Sequence, residues 1–268
     1  MSSAPDTSFV PELDTRQRAM LAEMGVRVWA PKAKAAAAST EPQAASGLVQ
    51  TPGKAPARAA PPVAMRLQQP LQQLVPASRT TTLDWPALRE SVAGCQACGL
   101  CQGRTNTVFG VGDEHADWMV VGEAPGENED LQGEPFVGAA GQLLDNMLKA
   151  VGRSRTGQGA QGAYIANVLK CRPPANRNPQ PDEVAQCEPY LARQVALVKP
   201  KVIVAMGRFA VQALLKTAEP IGRLRGQVHH YEGVPVIVTY HPAYLLRTPT
   251  DKGKAWADLC LAMAQLPA

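Results

Sequence analysis

The stretch Trp118-Met-Val-Val-Gly-Glu-Ala-Pro-Gly-Glu-Asn-Glu-Asp130, closed by Gly133-Glu-Pro-Phe-Val-Gly138, constrains this chain more than any other. Trp118 to Val121 is a short apolar run that reads as a buried strand, and it breaks at Gly122-Glu123-Ala124-Pro125-Gly126 into a loop punctuated by glycine and proline. A strand, a glycine-rich break and a following helix form the unit from which α/β proteins build ligand sites, because ligands settle beyond the carboxyl ends of parallel strands. The loop also carries Glu123, Glu127, Glu129 and Asp130. Packing alone accounts poorly for four carboxylates there; the plainer alternative is an acidic, solvated connection.

The rest of the C-terminal two thirds repeats the alternation. Leu83 to Val92 has helical spacing, with Asp84 placed to cap it and Gly94 to stop it. Strands are predicted over 117–122, 163–169, 201–206 and 235–240, and helices over 138–151, 182–198, 208–215 and 254–265. Strands separated by helices of this length imply a parallel sheet covered on both faces. A domain over 81–268 follows.

Upstream the composition changes. Residues 31–80 hold 13 alanines and 8 prolines with almost no aromatic or β-branched character, too little to offset the chain entropy of folding, so this stretch is expected to be a disordered, mildly basic linker. Residues 1–30 contain a short amphipathic helix pattern with Leu13, Ala19, Met20, Leu21 and Met24 roughly on one side and Gly25 at its end. It is too short to bury a core of its own. It is either an arm folded back on the domain or a docking peptide for another protein.

The formal net charge of +4 belongs to the leading segments: positions 81–268 hold 18 basic and 18 acidic residues. Any contact with nucleic acid must therefore come from local placement of charge. No run of about 18 uncharged apolar residues occurs, and Asp6, Glu12 and Asp14 stand where a secretory peptide would be basic and then apolar. A cytoplasmic protein is expected.

In a reducing compartment, short cysteine spacings argue for metal or catalysis ahead of disulfides. Cys95-x-x-Cys98 is one half of a metal site, and Cys171 and Cys187 can supply the other. Zinc and a 4Fe-4S cluster are both chemically reasonable on four thiolates, and spacing does not separate them. Cys101 is surplus, and Cys260 reads as a buried, reduced thiol on an apolar helical face.

Taken together, Cys95-x-x-Cys98-x-Leu-x-x-x-Arg104-Thr105, Gly122-Glu-Ala-Pro-Gly-Glu-x-Glu-Asp130, Gly133-x-Pro-Phe-Val-Gly138, Asn167-Val-Leu-Lys-Cys171-Arg-Pro-Pro, Cys187-x-Pro-Tyr-Leu and His241-Pro-Ala-Tyr-Leu-Leu-Arg247 resemble the family 4 uracil-DNA glycosylases, the iron-sulfur type. The resemblance spans essentially all of 81–268 and none of 1–80. It implies a three-layer α/β/α fold with a four-stranded parallel sheet, preceded by the disordered extension. It also implies a 4Fe-4S cluster on Cys95, Cys98, Cys171 and Cys187, and uracil-containing DNA as substrate. A non-catalytic iron-sulfur or zinc module that binds nucleic acid is the competing class. Separately, Arg-x-x-x-Leu-x-x-Met-Gly-Val-x-x-Trp in residues 11–30 resembles the N-terminal peptide with which the psi subunit of the bacterial replicative clamp loader attaches to that complex. The clamp loader is the partner this implies. The chain itself is expected to be a monomer.

Carried onto these residues, the resemblance makes a glycosylase that extrudes a deoxyuridine into a pocket. Phe136 is the aromatic floor for the base. Asn167 can accept from uracil N3–H and donate to O4, a pairing that cytosine inverts. His241 stabilises the negative charge that collects on O2 as the glycosidic bond breaks. Glu123 supports the cation at C1′ and orients the attacking water, with Glu127 and Asp130 in reserve, and Gly122 and Ala124 complete the substrate-binding set. Other uracil glycosylases carry Gly-Gln-Asp-Pro-Tyr at this loop; their aspartate falls at Ala124 and their tyrosine at Gly126. Arg172, Arg177, Arg223, Arg225 and Arg247 are expected to touch DNA, and Leu245, Leu246 or Arg247 to wedge into the gap left by the flipped base.

Overall fold

A computed structural model of the chain describes Glu23 and residues 80–266. The expected linker 31–80, apart from Thr80, and the expected docking helix 11–30, apart from Glu23, lie outside the described residues. Glu23 is helical and exposed, and its carboxylate accepts from Lys149 Nζ at 2.9 Å.

The sheet is built from strands that are apolar on both sides. β2 (Trp118–Gly122), β3 (Ala163–Asn167) and β4 (Val202–Met206) are buried at every position, and β6 (Val234–Thr239) is buried over its last four. Such strands need cover on both faces. Alternate side chains supply it: Trp118, Val120, Ile165, Val204 and Ile237 meet α3 (Gly138–Ala150), α7 (Pro242–Arg247) and α8 (Lys252–Met263). Met119, Val121, Ala166, Ile203 and Val238 face the other way. They meet α4 (Pro181–Val198), α5 (Arg208–Leu215) and the short α6 (Ile221–Leu224). The result is the expected α/β/α sandwich.

β3, β2, β4 and β6 lie side by side in parallel, with Gly122 opposite Asn167, Val121 opposite Ala205 and Met206 opposite Thr239. These are the four expected strands, but among the described residues the sheet has six. β1 (Val111–Gly112) and β5 (Val228–Tyr231) add antiparallel edges in the order β1-β3-β2-β4-β6-β5. β1 is only two residues long, too short for any periodicity. β5 is mostly solvent-facing, and it joins β6 through Glu232 and Gly233, both at positive φ (48° and 79°) as a primed hairpin turn requires. Glutamate is an unusual residue for the first of these positions, which hid the hairpin.

The predicted helices form within two residues of their expected limits. α1 (Trp85–Ala93) is capped as read, with Asp84 Oδ1 accepting from Ala87 N–H at 3.0 Å and Gly94 at its end. α2 (Glu127–Gln132) was expected only as loop, and the wedge candidates Leu245, Leu246 and Arg247 lie on helix α7. Because β2 has β3 on one side and β4 on the other, the chain changes direction across the sheet at the end of β2. A crevice opens at such a point.

Candidate active site and cysteine centre

Four strand ends converge on this crevice. Glu123 leaves β2, Asn167 ends β3, Gly207 and Arg208 follow β4, and His241 follows β6 after Tyr240. A cavity of about 490 Å³ lies there, and Glu123, Phe136, Asn167 and His241 all line it. That volume suits a small ligand. Ala124, Arg177 and Arg247 share the lining, together with Tyr244, Pro173 and Asn176, which lie in the same stretches as the arginines expected to touch DNA.

The ladder between β2 and β3 continues past their ends, since Val168 N–H donates to the Gly122 carbonyl at 3.0 Å and Leu169 N–H to that of Glu123 at 3.1 Å. Glu123 and Asn167 are therefore held on adjacent, hydrogen-bonded backbone. Asn167 is almost wholly buried. Gly122 does not line the cavity; it leaves space, because a β-carbon there would lie 2.5 Å from Phe136 Cζ and would also strike the Asn167 carboxamide.

Burial pushes the Glu123 carboxyl up to about 7, with Arg208 pulling the other way. Arg208 was missed, although its place at a strand exit is the same signal that selected Glu123 and His241. His241 stands at the N-cap of α7 and accepts the Ala243 N–H on Nδ1 at 3.1 Å. Burial, helped by the Arg247 charge, lowers its pKa to about 4, so the ring is neutral near pH 7 with its hydrogen on Nε2. It stacks on Phe136 with ring centroids 5.2 Å apart and planes 23° from parallel.

Several expected roles do not survive the geometry. Asp130 is buried and accepts the Thr105 N–H at 3.0 Å and the Asn106 N–H at 3.3 Å, so it is a structural cap rather than a reserve acid. Glu129 accepts from Gly126 N–H and Val137 N–H, both at 3.0 Å. Glu127 is exposed and pairs with Arg172 at 3.5 Å, and it does not line the cavity. The acidity of this loop is thus largely explained by α2 and its caps. Leu245 is completely buried in the core under α7 and cannot wedge into DNA, whereas its neighbour Leu246 is exposed. Arg225 is committed to Asp258 at 2.8 Å, the Lys254 carbonyl at 2.6 Å and the Tyr240 ring, which removes it from the DNA contacts. Arg223 is exposed on α6 but lies outside the cavity lining. Arg177, which lines the cavity, is also paired with Glu183. Arg172 is engaged with Asn176 at 2.8 Å as well as with Glu127.

The cysteines gather separately. Cys95, Cys98, Cys171 and Cys187 line one small cavity, joined by Cys101, Arg104 and Lys170. Cys260 sits apart, on α8, packed against the core on that face of the sheet. Among the described residues no three His, Cys, Asp or Glu side chains are close enough to hold a single metal ion.

Burial raises the thiols of Cys98 and Cys171 and takes Cys187 to about 12. Each is opposed by an N–H hydrogen bond to sulfur: Leu100 N–H on Cys98, Arg104 Nη1 on Cys171 at 3.2 Å and Lys170 N–H on Cys187. The donor set is all sulfur, supported by N–H groups of the kind that tune metal-bound thiolates. Lys170 is buried, its pKa lowered to about 7 by desolvation, and its ammonium donates to the Asn167 carbonyl at 2.8 Å and to Gln194 Oε1 at 2.6 Å. Ala124 packs against Leu169 and the cysteines. The two centres therefore adjoin.

A family model described as the Uracil DNA glycosylase superfamily matches residues 109–261. The chain belongs to this superfamily. It is 48% identical over 166 residues to a type-4 uracil-DNA glycosylase of Archaeoglobus fulgidus, covering 59% of this chain and 81% of that one. With a type-4 uracil-DNA glycosylase of Thermotoga maritima it shares 42% over 165 residues, 61% and 83% of the two chains. Type-4 and type-5 uracil-DNA glycosylases of Pyrobaculum aerophilum are 41% identical over 189 residues and 35% identical over 146. The type-4 match covers 67% and 93% of the two chains, the type-5 match 50% and 64%.

Proposed function

We propose that this chain is a uracil-DNA glycosylase, a hydrolase that removes uracil from DNA and leaves an abasic site. The observation that carries the reading is the convergence of Glu123, Phe136, Asn167 and His241 on one cavity at the carboxyl edge of the sheet. No helix among the described residues is long and apolar enough to cross a membrane. We assign the enzyme to the cytoplasm as a monomer.

In this mechanism the deoxyuridine leaves the base stack and its base enters the cavity beside Phe136, where aromatic contact offsets part of the unstacking cost. Asn167 reads the base through N3–H and O4; cytosine would leave both ends of the carboxamide unpaired. The bond from N1 to C1′ breaks with its electron pair going to the uracil ring. His241 Nε2–H donates to O2 as that charge develops, and the neutral ring suits the task because it donates without surrendering its proton. Glu123, ionised, stabilises the cation at C1′ and orients the water that adds there. It accepts the water's proton, and the uracil anion is protonated on release. Arg172, Arg177, Arg223, Arg247 and Leu246 are the DNA contacts kept from the larger set.

The four cysteines Cys95, Cys98, Cys171 and Cys187 would hold a 4Fe-4S cluster. An all-thiolate donor set with N–H···S support fits such a cluster, and the resemblance to the iron-sulfur type of uracil-DNA glycosylase favours it over zinc. When bound, the cluster supplies iron–thiolate bonds that tie the turn after α1 to the exit of β3 and to α4. Residues 11–30 we assign to the clamp loader, tested by a pull-down of clamp-loader subunits with and without that segment; equal recovery ends the assignment.

The deciding experiment incubates the full chain with a single-uracil oligonucleotide, followed by alkali. Strand scission at the uracil is expected. An intact strand would leave a nucleic-acid-binding module as the better account.

A further inference from the structure

Phe136 is held in an unusual way. It lies in the left-handed region at φ +53°, which a residue with a bulky side chain rarely adopts. Its ring is nearly buried against Gly122 and His241, so the strained backbone and the cavity wall are parts of one arrangement. Something must over-determine that conformation.

The main support comes from outside the cavity. Arg155, in the connection after α3, donates through Nη2 to the Phe136 carbonyl at 2.9 Å and through Nη1 to the Pro135 carbonyl at 3.2 Å. Its Nε is paired with Asp145 of α3 at 2.7 Å, and the side chain is only 16% exposed. A guanidinium presents its donors in a fixed plane, so three contacts to three acceptors leave it little freedom. On the other side Glu129 holds the Val137 N–H, and Gly141 has no β-carbon to obstruct the Phe136 carbonyl. Backbone carbonyls on two consecutive residues are thus pinned by one side chain that lines no part of the cavity.

We infer that Arg155 is a positioning residue for base recognition: by clamping the Pro135 and Phe136 carbonyls it fixes the left-handed backbone that sets the aromatic wall and its stack on His241. Asp145 in turn aims the guanidinium. The inference rests on the glycosylase reading above, because it assigns Arg155 to the pocket that receives uracil. Lysine in this place keeps the charge but not the planar fork, so it should serve poorly.

The test compares Arg155→Lys and Arg155→Met with the unaltered chain, each also in a Phe136→Ala background. The readouts are single-uracil cleavage, inhibition by free uracil and affinity for an abasic oligonucleotide. Arg155→Met is expected to weaken both uracil inhibition and kcat/KM by roughly tenfold, the scale of a disturbed aromatic contact, with Arg155→Lys between it and the unaltered chain. Affinity for abasic DNA, which has no base to stack, should stay within about twofold. In the Phe136→Ala background the Arg155 replacements should change cleavage by less than about twofold, the non-additivity expected when one residue acts through another. Equal losses in both backgrounds, or unchanged uracil inhibition, would overturn the positioning role and leave Arg155 as a fold-stabilising residue. If Arg155→Met does not fold, Arg155→Lys carries the same comparison. Failure of the unaltered chain to cleave defeats the glycosylase reading and this inference together, whereas cleavage with additive losses defeats the inference alone.

Discussion

His241 Nδ1 accepts the Ala243 backbone N–H at 3.1 Å, so one imidazole both caps α7 and lines the cavity, with Nε2 left for a ligand. The two duties can be separated. Asparagine is a good N-cap, so His241→Asn should keep α7 while losing the donor to O2. A fall in single-turnover cleavage of roughly a hundredfold to a thousandfold is expected, the scale of one oxyanion-type donor, with a melting temperature close to that of the unaltered chain. His241→Ala should lose activity and some stability together.

The same histidine shapes acid stability. Its folded pKa of about 4 lies below the unfolded 6.5, so between these values the unfolded chain binds more protons. The stability it contributes is complete above pH 6.5 and is lost as pH falls toward 4. Urea unfolding at pH 7 and pH 5 should show a steeper decline for the unaltered chain than for His241→Asn.

Glu123 titrates the opposite way. Burial holds its carboxyl at about 7, against an ordinary 4.5, and the mechanism needs it ionised. Cleavage should rise as pH increases through about 7, and Arg208→Met should move that limb upward by removing the charge that favours the carboxylate. The folded state keeps a proton between pH 4.5 and 7 that the unfolded chain has released, so the contribution of this residue to stability declines as pH rises across that window. Glu123→Gln should therefore be inactive yet more stable than the unaltered chain at pH 8. A flat rate profile between pH 5.5 and 8.5 (about one and a half units either side of that pKa) would exclude Glu123 as the titrating group.

Much of this was legible because parallel strands leave a plain signature. Continuous apolar runs gave β2, β3, β4 and β6, and the residues just beyond β2 and β6, with the last residue of β3, gave Glu123, His241 and Asn167. What stayed hidden is held by tertiary contact. Arg155 acts on carbonyls 19 and 20 positions earlier, and no local pattern announces that. Asp130 looked catalytic because a buried cap and an acid at a site are the same residue type in sequence. Leu245 and Leu246 are adjacent and chemically identical, and only the phase of a helix too short to read decides that the first is buried and the second exposed.

Asn167 carries the prediction about selectivity. Asn167→Asp is nearly isosteric but loses the donor to O4, which should cost about 1–3 kcal/mol, or roughly tenfold to a hundredfold in rate on uracil. The ratio of uracil to cytosine cleavage should fall as well, because an aspartate no longer opposes cytosine with a mismatched donor. Single-turnover rates on matched uracil and cytosine oligonucleotides measure both. An unchanged ratio would move the reading function to another residue.

The cysteine centre can be tested by which thiol matters. Cys98, Cys171 and Cys187 are buried and receive N–H hydrogen bonds, while Cys260 belongs to a different core. Serine at any of the first three should abolish visible absorbance and bound iron and lower the melting temperature, because α1, the β3 exit and α4 would no longer be tied together. Cys260→Ser should keep both. Cys101 lines the same cavity, so its serine variant discriminates: retained iron makes Cys95 the fourth ligand, and lost iron with Cys95→Ser intact makes Cys101 the ligand. Zinc in place of iron in the purified chain, with no colour, would overturn the cluster assignment and leave a tetrathiolate zinc site.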